Sequence, residues 1–220
     1  MNAMPTRAAG IAAGVFLSVC AGLLAAPAGA AEVPELSPAG QQPISSVTHH
    51  NQQCERALKG LGREESGRHS AARCTTTVVL SASRPTKVTV EQIQARKSDF
   101  ASADYASIVV AAAAGAVKSK NYSQTFNNLT DQETQYGKFY YDGSRAWVTS
   151  TYRGLKGTHI CKVDWAVGYA VSLRSCSESG STSQRNLSAQ WNVAVGIKGS
   201  PVSWDEVYTM HVNAAGSIWQ

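Results

Sequence analysis

The second half of the chain alternates apolar and polar side chains with a period of two, and this pattern constrains the fold more than any other feature. Over 158–167 it places His159, Cys161, Val163, Trp165 and Val167 on one face. Such alternation is typical of half-buried β-strands. It predicts strands over 137–141, 144–152, 158–167, 169–174, 187–197 and 207–212. Short turn segments separate them, so we expect an antiparallel meander that closes into a sandwich-like sheet domain.

One helix is predicted before these strands, over about 102–118. Ser102 is a suitable N-cap, Asp104 favours the positive end of the helix dipole, and Lys118 favours the negative end. The centre, 108–117, is apolar nearly all round, which predicts a helix buried against the sheet. The fold class is therefore α+β, mainly β, with one buried helix. A two-residue type I′ turn is predicted at Asp142-Gly143, between strands 137–141 and 144–152.

Residues 1–31 have the features of a secretory signal peptide. Arg7 supplies the positive region, an apolar run follows over 11–26, and Ala28-Gly29-Ala30 offers small residues for cleavage. A membrane anchor is the first alternative, but the run is short for a bilayer and is interrupted by glycines. A lipoprotein signal acylated at Cys20 is the second. We expect a secreted protein without a membrane anchor, with a single β-rich domain over 52–220.

Removal of the signal peptide leaves four cysteines, an even number that favours two disulfides in an oxidising compartment. Four cysteines allow three pairings. The local pairing of Cys54 with Cys74 and Cys161 with Cys176 is favoured because short loops close at the lowest entropic cost. Zinc sites use close ligand pairs of the C-x-x-C type, which the chain lacks. No metal and no cofactor are therefore predicted.

The net charge argues against a nucleic-acid partner. Loss of Arg7 lowers it from +5 to +4. The remaining basic residues are scattered along the chain, whereas a nucleic-acid-binding face concentrates them.

Residues 32–51 are rich in Pro, Ser, Gln and Gly and have few large apolar side chains, which predicts a flexible N-terminal arm. The arm is either a remnant of cleavage or a segment that becomes ordered on a partner, for example as an added strand. In the second case Val33, Leu36, Ile44 and Val47 are the candidate anchors.

Aromatic residues are concentrated around one predicted hairpin, which contains Tyr140, Tyr141 and Trp147. Packing in the core is the default role for such residues. However, adjacent Tyr140 and Tyr141 must face opposite sides of a strand, so we expect one of them to meet solvent or a partner. All three residues are therefore candidate partner-binding residues.

No catalytic motif is recognised, so the protein is predicted not to be an enzyme. Ser181, Asp205 and His211 offer the residue types of a hydrolase triad without the G-x-S-x-G motif. Asp205 and Glu206 are neighbours and point to opposite faces of a strand, so they do not form a glycosidase pair. His159, in phase with Cys161, is predicted to be a core or rim histidine.

The segment 136–143 (YGKFYYDG), followed by Trp147, Tyr152-Arg153-Gly154 and the nearby His159 and Cys161, resembles small secreted proteins of Streptomyces-type actinobacteria. Among them it resembles the adaptor subunit of umbrella-shaped polymorphic toxin particles. The resemblance implies a non-catalytic role, bridging a large toxin subunit and a lectin-like or protease-like subunit, with 32–51 as a docking segment. A secreted hydrolase acting on cell-wall or exopolymer substrates and a secreted protease inhibitor are the alternatives.

Overall fold

The computed structural model describes residues 40–59, 72–197 and 200–220, all within one compact unit, Ser37–Gln220. In these ranges the strands form two antiparallel sheets. The first sheet contains β1 (Gln41–His50), β2 (Thr75–Ser83), β3 (Thr86–Lys87), β4 (Lys118–Asn127), β5 (Asp131–Tyr141), β6 (Ala146–Trp147) and β7 (Thr158–Ala166). The second contains β8 (Ala170–Gly180), β9 (Gln184–Ile197), β10 (Ser200–Asn213) and β11 (Ile218–Trp219). The mainly β fold class is confirmed.

The two sheets pack face to face, and alternate residues of their strands fill the space between them. The strand order is β1-β2-β4-β5 in the first sheet, with β6 and β7 sharing the far edge of β5, and β11-β10-β9-β8 in the second. One core cluster combines side chains of both sheets: Leu80, Tyr122, Phe139 and Tyr141 from the first, with Leu187, Met210, Val212 and Ile218 from the second. The sandwich therefore has a continuous apolar half.

The described ranges include the helices α1 (Gln52–Lys59), α2 (Val90–Gln94) and α3 (Ser102–Ala113), with a 3-10 turn at Lys97–Asp99 between the last two. Ile108, Ala111 and Ala112 of α3 pack in one cluster with Tyr140 and Trp147, on the face of the first sheet opposite the sandwich core. This buries one face of the helix. The other face is in solvent, with Val110 71% exposed, so the helix is not buried all round.

The boundaries of α3 differ from the prediction. The N-cap is Ala101, which makes no side-chain capping bond, so Ser102 is not the cap. The helix ends at Ala113 because Gly115 adopts a φ of +63°, a left-handed conformation that commonly ends helices. Lys118 is already the first residue of β4.

Residues 41–50 form a strand, where we predicted a flexible arm. β1 pairs with β2 from Gln41 to His50, with a bulge between Pro43 and Ser45. Backbone hydrogen bonds hold this edge strand, so its polar composition did not reveal it. The predicted signal peptide and residues 32–39, with Val33 and Leu36, lie outside the described residues. In the described ranges, no helix is long and apolar enough to cross a membrane.

Two strand predictions also need correction. The turn after β5 has four residues, 142–145, because Tyr141 pairs with Ala146, and the returning strand β6 has two residues in place of 144–152. The Asp142 side chain stabilises this turn by accepting backbone hydrogen bonds from Ser144 and Arg145. The segment 175–186, which lies between two predicted strands, is mostly strand, since β8 continues to Gly180 and β9 begins at Gln184. β8 is an edge strand with most residues exposed, so it shows no apolar alternation.

Both local disulfides are confirmed. Cys54–Cys74 joins α1 to the residue before β2. Cys161–Cys176 joins β7 of the first sheet to β8 of the second, and so ties the two sheets together along one side of the sandwich.

Candidate functional site

An open cleft of about 530 Å³ lies between the other two edges of the sandwich. β1 is the edge strand of the first sheet, and β10 pairs with β11 only at His211 and Val212. Across the described residues, the rest of that edge of β10 has no strand partner. The cleft is lined by His49, His50, Asn51, Gln52, Gln53, Arg56, Gln124, Asp205, Glu206, Val207, Tyr208, Thr209 and Gln220.

Glu206 is the buried carboxyl group of this cleft. It is 6% exposed, because β10 directs it between the sheets in phase with Trp204 and Tyr208. Trp204 donates its indole N–H to Oε1 at 3.0 Å, and Tyr208 donates its hydroxyl to Oε2 at 3.0 Å. Burial, reinforced by the nearby charge of Asp131, raises the pKa of Glu206 even though both hydrogen bonds oppose the shift.

Tyr208 links the two sides of the cleft. Its ring stacks on Phe126 of β4 at a centroid distance of 4.1 Å, and His49 of β1 meets it edge-on at 6.1 Å. Burial and the neighbouring Glu206 raise the pKa of the Tyr208 hydroxyl, which stays protonated and acts as a donor. His49 of β1 and Tyr208 of β10 therefore approach each other from opposite sheets.

A row of glutamine amides runs from the sandwich interior to the cleft. Gln135 donates to Gln124, and Gln124 donates to Gln220 at 2.8 Å. The chain of bonds leaves one buried group unpaired at each end, the Oε1 of Gln135 and the Nε2 of Gln220. Gln124 and Gln220 line the cleft, so its interior presents amide groups beside the carboxyl group of Glu206.

Two more acids lie deeper between the sheets. Asp131 and Glu133 alternate along β5 and are each 1% exposed. Neither oxygen of Glu133 accepts a hydrogen bond, and burial together with the charges of Asp131 and Glu206 raises its pKa to about 9. Glu133 is therefore a neutral acid at pH 7, able to donate its proton to Asp131. Burial also raises the pKa of Asp131, against hydrogen bonds from Thr130 and Asn128.

The residues of the considered hydrolase triad each have other partners. The Ser181 hydroxyl bonds Ser183, and the two carboxylate oxygens of Asp205 accept from Gln190 and Asn192. His211 bonds Asn186 through Nδ1 at 2.8 Å and stacks on Trp219. The structure does not assemble Ser181, Asp205 and His211 into a triad.

The predicted partner-binding residues divide into two groups. Ile44 and Val47 lie on β1 and are 51% and 40% exposed, so they remain available to a partner. Tyr140, Tyr141 and Trp147 are all buried. The adjacent tyrosines do face opposite sides, but Tyr141 enters the sandwich core and Tyr140 the helix layer. Neither tyrosine meets solvent, because both faces of β5 are covered at this end of the strand; the expectation that one of them binds a partner stays a prediction.

His159 is half-buried beside the second disulfide. Its Nε2 lies 3.2 Å from the Sγ of Cys161, and burial lowers its pKa to about 4. In the described part of the chain, these two residues and Cys176 are the one set of metal-ligand atoms that lie within 4.8 Å of one another. Both sulfur atoms are bonded to each other, which removes them as metal ligands while the disulfide is intact.

β7 also departs from the predicted face assignment. His159, Cys161 and Val163 share the inner face, but β7 changes register between its pairs with Gln132 and Glu133. This bulge moves Trp165 to the outer face, where it is 40% exposed.

Sequence reasoning did not identify the buried polar residues of the cleft. A signal was present, because Glu206 is in phase with Trp204, Tyr208 and Met210, all of which point inwards. Polar residues at core positions of a strand indicate a function or a buried network.

No protein-family model, curated protein or solved structure matches this chain.

Proposed function

We propose that this is a secreted, non-catalytic binding or adaptor protein that takes an extended segment of a partner protein into the cleft between β1 and β10. The observation that carries the proposal is that the edge of β10 away from β9, without a strand partner at residues 205–209 in the described ranges, opens into a cleft whose other wall is the end of β1 and the start of α1. A free edge presents unpaired backbone N–H and C=O groups, which an extended peptide can complete as an added strand. The arm that was expected to bind a partner then forms one wall of the site.

The lining fits the chemistry of a peptide backbone. The unpaired Nε2 of Gln220 offers a donor, and the Tyr208 hydroxyl, whose proton bonds Glu206, can still accept. The volume of about 530 Å³ is in the range of small-ligand sites, so the cleft takes a few residues of extended chain and excludes a folded domain. Ile44 and Val47 on β1 provide apolar contacts for the flanking partner residues.

The adaptor role extends this binding activity. Two disulfides fit an oxidising, extracellular compartment, where the proposed partners are other secreted proteins. Following the resemblance in the sequence, we propose a large toxin subunit and a lectin-like or protease-like subunit as these partners. The protease-inhibitor alternative has less support, since Cys161–Cys176 joins two strands rather than stiffening an exposed loop.

Panning short random peptides displayed on phage against the immobilised protein tests the proposal. His49→Trp fills the cleft and should weaken selected peptides at least about tenfold, which is about 1.4 kcal/mol. Ser46→Trp is the matched control, because Ser46 pairs with Val79 on the opposite face of β1 and should leave affinity unchanged. Equal affinities for the two variants, or no selected peptide, would overturn the proposal.

A secreted hydrolase is the second candidate, because Glu206 combines burial in a cleft with a raised pKa, as a general acid requires. Incubation with the selected peptides and with cell-wall polysaccharide separates the two functions. Turnover that Glu206→Gln abolishes supports a hydrolase. Binding without turnover, in both forms, supports the adaptor.

A further inference from the structure

The two disulfides lie in opposite environments. Cys54 and Cys74 are 1% and 2% exposed and pack against Val193 and Trp204. Cys176 is exposed on β8, and Cys161 is half-buried on β7. A thiolate must reach one sulfur atom of a disulfide to exchange with it. Exposure therefore makes Cys161–Cys176 the bond that a thiol can attack in the folded protein.

His159 is placed to assist departure of the Cys161 sulfur. Its Nε2 lies 3.2 Å from that Sγ, whereas its Nδ1 is buried without a partner. A buried N–H without an acceptor is rarer in proteins than an unpaired acceptor, so we assign the imidazole proton to Nε2. The N–H then points at the sulfur that becomes a thiolate when the bond breaks.

We propose that Cys161–Cys176 is a thiol-exchange site at which Cys176 forms a mixed disulfide with a low-molecular-weight thiol. The thiolate of the small molecule attacks the Sγ of Cys176 and forms a new S–S bond. The Cys161–Cys176 bond breaks, and its electron pair leaves with the Sγ of Cys161. The resulting thiolate accepts a hydrogen bond from the Nε2–H of His159 and then takes a proton from solvent. No net oxidation or reduction occurs in this step.

The fold allows the exchange without global unfolding. β7 pairs with β5 along its length, from Ala166 opposite Asp131 to Thr158 opposite Lys138. β8 pairs with β9 from Ala170 to Gly180. Neither ladder depends on the disulfide, since each belongs to its own sheet. Opening the bond releases the side of the sandwich opposite the cleft, so this site is independent of the proposed peptide binding.

Reduction of the folded protein with glutathione, followed by alkylation and mass spectrometry, tests the proposal. Cys161 and Cys176 should be modified at least about ten times faster than Cys54 and Cys74, which serve as an internal control. Glutathione should be found on Cys176 and not on Cys161.

His159 variants test the role of the imidazole. His159→Phe removes the donor and should slow exchange between about threefold and tenfold, because a hydrogen bond to a forming charge is lost. His159→Gln keeps an N–H donor and should restore part of the rate. Equal rates for the two disulfides, glutathione on Cys161, or an unchanged rate in His159→Phe would overturn the proposal. Circular dichroism of each variant confirms that it is folded.

Discussion

Glu133 is a single residue that makes the stability of this fold depend on pH. Its pKa is about 9 in the folded protein, against an ordinary value of 4.5, because it lies between the sheets with Asp131 and Glu206 nearby. The folded state therefore keeps the proton while the unfolded state releases it. The contribution of Glu133 to the free energy of unfolding is therefore fully present below pH 4.5. It decreases as the pH rises towards 9, by up to about 1.4 kcal/mol per pH unit. Asp131 and Glu206 have raised pKa values and act in the same direction.

Glu133→Gln should remove this part of the pH dependence, because glutamine is neutral at every pH and similar in shape. We expect the variant to exceed the wild type in free energy of unfolding by about 1–4 kcal/mol at pH 8, and to differ by less than about 1 kcal/mol at pH 4.5. Urea unfolding between pH 4.5 and 9 measures the difference. Asp205→Asn, at an exposed position, is the control. If the free energies of unfolding of the wild type and of Glu133→Gln changed with pH in parallel, Glu133 would not be a buried neutral acid.

At the scale of elements, prediction succeeded where one face of a strand is buried. The apolar alternation predicted over 187–197 lies within β9, and the strand predicted over 207–212 lies within β10. It failed on the edge strand β1 and on the second half of β8, whose residues are mostly exposed, because a backbone ladder leaves no apolar signature in the sequence. The bulge in β7 was also hidden, since it depends on pairing with β5. The site followed the same rule on one side only, because the end of the edge strand β1 forms one of its walls.

Alanine variants at two turn glycines separate the cost of a left-handed backbone conformation from the cost of a steric clash. Gly143 and Gly154 have φ values of +87° and +71°, so alanine at either position costs about 1 kcal/mol for the left-handed conformation. A Cβ at Gly143 meets nothing within 4 Å, but at Gly154 it falls 2.1 Å from the ring of Phe100. Gly154→Ala should therefore lose about 1–3 kcal/mol more than Gly143→Ala in urea unfolding. Equal losses would show that the Phe100 ring moves away without cost.

Across the whole molecule, the two sides of the sandwich differ in how they are closed. Cys161–Cys176 ties β7 to β8 on one side, whereas β1 and β10 face each other across a cleft on the other. The interior of the sandwich is also divided into an apolar part and a polar part. Its apolar half is formed by the cluster around Tyr122 and Met210, and its polar layer by Gln124, Glu133 and Glu206. A buried polar layer beside an open edge is what a binding site needs, since ligand groups can complete its hydrogen bonds.

The two disulfides should contribute unequally to the stability of the whole domain. They close loops of similar length, with sequence separations of 20 and 15, so chain entropy assigns about 3 kcal/mol to each. Cys54–Cys74 is also buried against Val193 and Trp204, and its removal leaves a cavity there. The pair Cys54→Ala/Cys74→Ala should therefore have a lower urea midpoint than Cys161→Ala/Cys176→Ala. The reverse order would mean that the tie between the sheets, rather than the anchoring of α1, limits the stability of this sandwich.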